Sequence, residues 1–493
     1  MTSDNITTYE AATLNNRLFR QGLLSQVQKL AQQHGGQAYL VGGAVRDWQR
    51  SGELPDDLDF TLVDCHAETL APILADALGG HLVPLDWAFG IHRIVIPATT
   101  NDGLTIDLAD ALENNIDSDL ARRDLTVNAM ALDLETGTIL DPHGGQIDLQ
   151  NGHIRMVSAT NLLDDPLRLL RVFRIAATIQ AASLEEGTLA IVRDHGAKVW
   201  EVAAERIQYE LFRLLSVKNS FPYVQAMADS GLLEILIPDL TPMKGIGASG
   251  FHHLGLFDHT LELVRQAERL LPECPEASQD WLKRPFNAVV SRMGLLKLGC
   301  LLHDIGKPAT MGTREDAVHG TRLTFYGHEE VGEQMADPWL KRLKVGNDVR
   351  EHVKKLIRWH LYPCQFGPDS LRRSVLRYYR RMGDSTPDVT LLALADRHSA
   401  CGDWLTPEIL DASHKAHLWL LENYTAEAAV LQAPRLLSGH DIMRILNVPP
   451  GPHLKEHLDA LQEAQQLGEI TNAEEAERWL LEHPIPPSQT LSE

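Results

Sequence analysis

Asp57 and Asp59, in Asp57-Leu58-Asp59-Phe60-Thr61, stand two positions apart. A strand would therefore turn both carboxylates to one face. Two hard oxygen ligands side by side suit Mg²⁺, which takes carboxylates together with substrate phosphates. Such a site can activate an attacking hydroxyl while steadying a leaving pyrophosphate. An isolated pair of this kind is more often two exposed acids on an edge strand. Shortly before it, however, Tyr39-Leu40-Val41-Gly42-Gly43-Ala44-Val45-Arg46-Asp47 runs from an apolar strand through two glycines into a helix start. Close backbone approach and unpaired N–H groups there suit a phosphate.

A second set is made of His259, the pair His303-Asp304, His328, His360 and Asp396. Imidazoles with carboxylates suit a divalent transition metal, and three or more ligands with an open position would hold a hydrolytic water. His259, His303, Asp304 and Asp396 are the expected ligands, with His328 and His360 as candidates for a second metal. Because the chain has 22 histidines, His252, His253 and His398 are read as bystanders. A third group is Asp164, Asp165 and Arg168, expected on one helix with Asp164 and Arg168 sharing a face. A carboxylate accepts from the exocyclic amine of cytosine or adenine, and a guanidinium donates to the adjacent ring acceptors. The alternative is a surface salt bridge.

To position these residues, short β-type runs at 37–43, 58–63, 91–96 and 104–108 alternate with helical stretches, giving an α/β or α+β head. From Asp164 onward apolar positions recur at helical spacing, through 211–215, 261–271, 295–302 and 353–359, with almost no β-type alternation. Breaks at 238–250, 272–285 and 449–452 read as boundaries or exposed loops, and 484–493 as a frayed tail.

Of the 493 residues, 44% are hydrophobic and 23% charged, the balance of a soluble globular protein of several domains. Residues 1–9 lack a basic flank and apolar stretch, and no apolar run reaches about 18 residues, which places the protein in the cytoplasm. The five cysteines form no C-x-x-C pair and read as reduced structural thiols. A net charge of −22 argues against nonspecific binding to nucleic acid, so any RNA contact is local. At 371–381, Arg372, Arg373, Arg377, Arg380 and Arg381 interleave with Tyr378 and Tyr379. That stretch reads equally as phosphate contacts with base stacking or as a solvated helix face.

Taken in order, the motifs resemble a known family. Gly42-Gly43-x-Val45-Arg46-Asp47 followed by Asp57-x-Asp59 resembles the signature of class II nucleotidyltransferases, which include bacterial CCA-adding enzymes and poly(A) polymerases. Arg122-Arg123-Asp124-Leu125-Thr126-Val127-Asn128-Ala129-Met130 and Asp141-Pro142-His143-Gly144-Gly145 to Asp148-Leu149 resemble its next blocks. Asp165-Pro166-Leu167-Arg168-x-x-Arg171 resembles the helix that reads the incoming base, and Glu205-Arg206-Ile207-x-x-Glu210-Leu211 the motif that closes the neck. Where relatives usually carry Glu at the first base-reading position, this chain has Asp164, one methylene shorter. Leu301-Leu302-His303-Asp304-Ile305-Gly306-Lys307-Pro308 resembles the core of HD phosphohydrolases, with Asp258-His259-Thr260 resembling the first ligand.

The resemblance implies a small mixed-sheet, polymerase-β-like head followed by a mostly helical body that includes an HD domain, an α+β chain overall. It implies a head at 1–150, a neck at 151–245, an HD domain at 246–410 and a tRNA-docking region at 411–493. Asp107 is then a third carboxylate near the metals, and Arg123, Asp124 and Asn128 hold ribose and triphosphate, with a helix cap the alternative for Asp124. Lys307 would take a substrate phosphate. The partners implied are tRNA and CTP, with ATP as well if the whole of CCA is added, and neither DNA nor a membrane; the HD chemistry implied is that of a phosphatase or cyclic phosphodiesterase. Enzymes of this family that add all of CCA usually carry a longer flexible loop rich in Arg and Tyr after the strand of Asp107. Here only 108–122 fill that space, with no tyrosine. The expectation is a CC-adding enzyme working beside a separate A-adding one. The rivals are a poly(A) polymerase, which usually has a basic tail and no HD domain, and an HD hydrolase with a noncatalytic head.

Overall fold

Alternation at period two builds the first unit. β1 (Gln37–Val41) leads through Gly42 into α1 (Gly43–Ser51), and β2 (Asp57–Val63) is followed by α2 (Ala67–Leu78), β3 (His81–Asp86), β4 (Ile91–Ile96) and β5 (Leu104–Asp110). With β6 (Ala131–Asp133) and β7 (Ile139–Leu140), these form a seven-stranded sheet of order β3-β4-β5-β2-β1-β6-β7. The β2–β5 pair is parallel and all others are antiparallel, so the sheet is mixed. One face buries Leu58, Phe60, Leu62, Ile106 and Leu108 against Ala44, Val45, Leu70 and Leu74 of the helices. The same alternation turns Asp57, Asp59 and Asp107 to the other face, with Asp59 directly opposite Asp107.

The computed structural model describes residues 20, 22–86, 90–97, 103–248, 253–316, 320–400, 402, 405–451 and 453–483. It divides into one unit of Met1–Glu210 with Ala226–Ile235 and another of Leu211–Gln225 with Leu236–Glu493. The chain start at 1–9, the tail at 484–493, His252, Cys401 and Pro452 lie outside the described residues. Past α3 (Ile116–Ala121), the first unit holds α4 (Ala159–Asp164), α5 (Leu167–Ile179), most of α6 (Ala204–Ser216), and a short parallel pair, β8 (His153–Ile154) and β9 (Ser183–Leu184).

In the second unit α7 (Leu256–Leu270) packs on α8 (Arg292–Leu302), α9 (His328–Arg342) on α10 (Asn347–Trp359), and α11 (Arg372–Met382) precedes α12 (Thr386–Ser399), which lies against α7 and α8. After α13 (Pro407–Ala426), helices α14 (Gly439–Leu446), α15 (His453–Leu467) and α16 (Ala473–Glu482) enclose a small core of Ile442, Leu461, Ala464, Ala476 and Leu480. No described helix is long and apolar enough to cross a membrane.

Besides β3, which lies outside the expected β-type runs, the structure departs from the sequence reading in four places. A hairpin, β10 (Gly312–Asp316) with β11 (Gly320–Thr324), interrupts the helical half. Glu276–Lys283 is a helix inside the stretch read as a break at 272–285. Asp164 and Arg168 do not share a helix: Pro166 has no N–H to continue the ladder and biases Asp165 away from helical geometry. Accordingly α4 ends at Asp164, and Asp165 is extended at φ −132° and ψ 96°. Finally, Tyr378 and Tyr379 are core residues, at 0% and 1% exposure, bonded through their hydroxyls to Thr390 and the Leu420 carbonyl. They therefore cannot stack on a base, and among the arginines beside them Arg372 pairs with Glu427, and Arg373, Arg377 and Arg380 with Glu463.

Candidate functional site

In the head, the chain turns at Gly42 with φ 69° and ψ −135°, a conformation that glycine alone adopts without strain. A methyl group there would come 2.7 Å from Arg123 Nη1 and 3.7 Å from Asp59 Oδ2. The glycine thus lets the backbone, a carboxylate and a guanidinium meet, and Gly43 opens α1 beside them. Arg123 is aimed by Asp119, a buried carboxylate that also takes Arg122 and that sequence reasoning missed. Burial pushes the Asp59 carboxyl up to about 6; Arg123 opposes this, while Asp107 and Asp57 add to it. A cation beside these acids would reverse that cost. Asp107 is gripped by Arg93 of β4 through two bonds of 2.8 and 2.7 Å, another partner not singled out from sequence.

Behind the turn runs a buried polar relay. Arg46 Nη1 donates to Asn128 Oδ1 at 2.7 Å, and Asn128 Nδ2 donates to Asp124 Oδ1 at 3.0 Å. Asp124 also accepts from the Leu125 amide at 2.8 Å and from Arg171 at 3.4 Å, and Arg171 reaches Glu210 at 3.4 Å. Glu210 takes Arg174 as well. Although burial opposes it, Arg171 and Asn128 hold the Asp124 carboxyl below its ordinary value. The relay joins the residues of the glycine turn, the Arg-Arg-Asp block and α5 in one network.

Arg168 Nη1 donates to the carbonyls of Arg122 and Asn161 at 3.0 and 2.8 Å, which anchors one edge of its guanidinium between the Arg-Arg-Asp block and α4. Asp165 faces Arg206 of α6 at 2.8 Å. Asp164 is exposed at the end of α4.

The second unit gathers its histidines around Asp304. Asp304 Oδ2 lies 3.0 Å from His303 Nε2 and 3.8 Å from His259 Nε2, while Oδ1 lies 3.3 Å from His328 Nε2 and 3.9 Å from His360 Nε2. Asp396 Oδ1 closes the first side, 3.1 Å from His259 Nε2. Two groups that could each hold a divalent ion result, His259-His303-Asp304 and Asp304-His328-His360, and all five of these residues are buried. Nδ1 of His303, His328 and His360 lies 2.8, 2.7 and 2.7 Å from the carbonyls of Cys300, Phe325 and Ile357. A carbonyl only accepts, so each ring carries its proton on Nδ1 and turns a lone pair on Nε2 toward Asp304, the arrangement of a metal ligand. Burial, with His303 beside it, pushes His360 down to about 3, and it stays neutral. The donor set therefore fits one or two metal ions.

Lys307 stands 2.6 Å from Asp304 Oδ2. A cavity of about 240 Å³ opens on the cluster, lined by Lys307, His328, His360, Cys364, Asp396 and Arg397. His253 is exposed, and His398 lies 2.9 Å from His414, outside the described metal groups. A larger cleft of about 1020 Å³, with Arg377, Arg381, Arg435 and Lys455 in its wall, shares no lining residue with that cavity.

Comparison with known proteins agrees with this geometry. Residues 38–155 match the poly A polymerase head domain, 183–244 a probable RNA- and SrmB-binding site of polymerase A, and 256–401 the HD domain. An A-adding tRNA nucleotidyltransferase of Deinococcus radiodurans is 35% identical over 91% of this chain and 96% of its own. A CC-adding tRNA nucleotidyltransferase of Thermus thermophilus is 32% identical over 90% and 93%. In fold, the chain resembles a Thermotoga maritima CCA-adding enzyme solved with tRNA, at 20% identity, 94% coverage of both chains and a TM-score of 0.59. Relatives at 35% and 32% identity that match nearly end to end establish that this chain belongs to the tRNA nucleotidyltransferases.

Proposed function

We propose that the head adds cytidines to the 3′ end of tRNA without a template. The observation that carries this is the face shared by Asp57, Asp59 and Asp107 beside the glycine turn at Gly42. Asp57 and Asp59, with Asp107 held by Arg93, would bind Mg²⁺, which would supply charge for the attacking and leaving oxygens. Gly42, Gly43 and the start of α1 receive the triphosphate, and Arg123 neutralises it. Arg46, Asp124 and Asn128 set the position of the sugar, with Arg171 bracing Asp124. Asp165 and Arg168 read the cytosine edge, with Asp164 at the rim. The tRNA 3′-oxygen forms a bond to the α-phosphorus as the bond to pyrophosphate breaks, and most of the gain comes from positioning.

Between β5 and Arg123 the chain makes a short 3₁₀ turn, Leu112–Asn114, and then α3, capped by Asn115 and tied by buried Asp119. That compact segment supports CC addition beside a separate A-adding enzyme, with both working in the cytoplasm. Similarity to the Deinococcus A-adding enzyme favours a second reading, addition of the terminal A. Primer extension separates them. A tRNA ending at the discriminator base, given CTP and ATP together, gains two cytidines and stops if the enzyme adds CC. A tRNA already ending in CC gains A if the second reading holds.

In the second unit, His259, His303, Asp304 and Asp396 hold a divalent transition metal, and His328 and His360 with Asp304 a second. They serve a phosphohydrolase acting on phosphate esters of RNA ends or nucleotides, with Lys307 at the phosphate. We assign the head to 1–150, the neck to 151–245, the HD domain to 246–410 and the tRNA-docking helices to 411–493.

A further inference from the structure

The chain does not run directly from Asp304 to His328. It leaves the cluster at Lys307, projects the β10–β11 hairpin and returns through Phe325 and Tyr326. Among the described residues the two strands pair only with each other, residues 312–315 are exposed throughout, and an isolated two-stranded hairpin is at best marginally stable in water.

Its surface has a definite chemistry. Arg314 stands directly opposite Arg322 in the antiparallel register, which puts two guanidiniums on one face of the hairpin, where both can donate to a phosphate. Arg314 Nη1 also donates to the Tyr326 hydroxyl at 3.5 Å, so the tyrosine lies by the same arginine, and its side chain is 72% exposed. Two guanidiniums and an open aromatic ring, in a chain of net charge −22, match the combination that holds single-stranded nucleic acid. The base of the hairpin is tied to the histidine cluster twice: the Phe325 carbonyl accepts from His328 Nδ1 at 2.7 Å, and the Lys307 ammonium lies 5.6 Å from the centre of the Phe325 ring.

We propose that this hairpin is the substrate arm of the HD site. It holds the single-stranded 3′ segment of an RNA whose terminal phosphate ester enters the cavity at Lys307, with Arg314 and Arg322 on backbone phosphates and Tyr326 stacked on a base. This rests on the hydrolytic role proposed above for the histidine cluster.

The test uses the full chain loaded with Mn²⁺, Co²⁺ or Ni²⁺ and two substrates, a short single-stranded RNA with a 3′-phosphate and the small ester bis(p-nitrophenyl) phosphate. Arg314→Ala/Arg322→Ala raises KM for the RNA about tenfold and lowers the salt dependence of binding by about 0.7 in slope for each phosphate that no longer meets an arginine, while hydrolysis of the small ester is unchanged. Tyr326→Ala raises KM similarly and Tyr326→Phe restores it, because the ring does the stacking. Photocrosslinking with 4-thiouridine in the same RNA places the adduct within 312–326. If the small ester is hydrolysed while the variants leave RNA KM and crosslinking as in the parent, the arm is refuted and the hydrolase stands. If the adduct forms at the hairpin and falls in the variants while neither compound is hydrolysed, the arm stands and the hydrolase is refuted.

Discussion

Arg123 fills the space that a side chain on Gly42 would need: a methyl group there would lie 2.7 Å from Arg123 Nη1. Gly42→Ala therefore strains a backbone at φ 69°, at a cost of about 1–3 kcal/mol, and displaces the guanidinium expected to meet the triphosphate. We expect kcat/KM for CTP to fall on the order of a hundredfold. Gly52→Ala is the control. Gly52 also has positive φ, at 75°, yet a Cβ there meets nothing within 4 Å, so it should lower melting temperature without touching nucleotide use.

Burial raises the folded-state value for Asp59 from 3.8 to about 6. Between those values the folded chain keeps a proton that the unfolded chain has released, so stability falls as pH rises through that window. About two units at about 1.4 kcal/mol each gives about 3 kcal/mol as an upper bound. A bound cation removes this penalty. Added Mg²⁺ should therefore raise the melting temperature of the head more at about pH 7.5 than at about pH 5. An equal shift at both values would contradict a metal site at Asp59.

Asp304 shares its two oxygens between two histidine sets, so substitutions should separate metals by count. Wild type is expected to bind two ions per chain by elemental analysis after dialysis, His360→Ala one, and Asp304→Ala none. His303→Ala and Asp304→Ala should lose phosphohydrolase activity yet keep nucleotide addition. Asp57→Ala or Asp59→Ala should lose addition by about a thousandfold and keep hydrolysis. Loss of both activities in one variant with an unchanged melting temperature would contradict separate sites.

What could be read from sequence was what alternation and spacing encode. β2 and β5 alternate strictly, so the shared face of Asp57 and Asp59 followed from period two alone. β3 was missed because Pro84 interrupts its pattern; that proline is tolerated because β3 lies at the sheet edge. Arg93 meets Asp107, and Glu210 of the neck motif meets Arg171 and Arg174, only because the fold brings them together; Asp119 has its partners three and four residues on, and only its burial is unmarked in the sequence. Period also misled. Asp164 and Arg168 have helical spacing, but Pro166 between them ends the helix. Arginines interleaved with Tyr378 and Tyr379 looked like a stacking surface because sequence does not say which face of α11 is turned inward.

Pro166 gives Asp165 and Arg168, proposed above to read the base, their final arrangement, and this predicts a role for Arg206. With the helix broken at Asp165, one carboxylate oxygen accepts from the Leu167 amide at only 3.4 Å; Arg206 of α6 orients the other at 2.8 Å, while Arg168 is fixed by the carbonyls of Arg122 and Asn161. Losing Arg206 should thus loosen one half of the base-reading pair and leave the other in place. Arg206→Ala should retain most of kcat with CTP but raise KM several-fold, and should admit UTP about tenfold more often, because a mobile Asp165 no longer penalises the carbonyl that uracil presents where cytosine has an amine. Arg206→Lys keeps the charge and should recover part of the discrimination. Single-nucleotide incorporation with CTP and UTP, measured separately on one tRNA lacking its 3′ end, decides it. If Arg206→Ala lowers the rates with both nucleotides equally, Arg206 serves only the fold of the neck, and Asp165 is not the group that distinguishes cytosine from uracil.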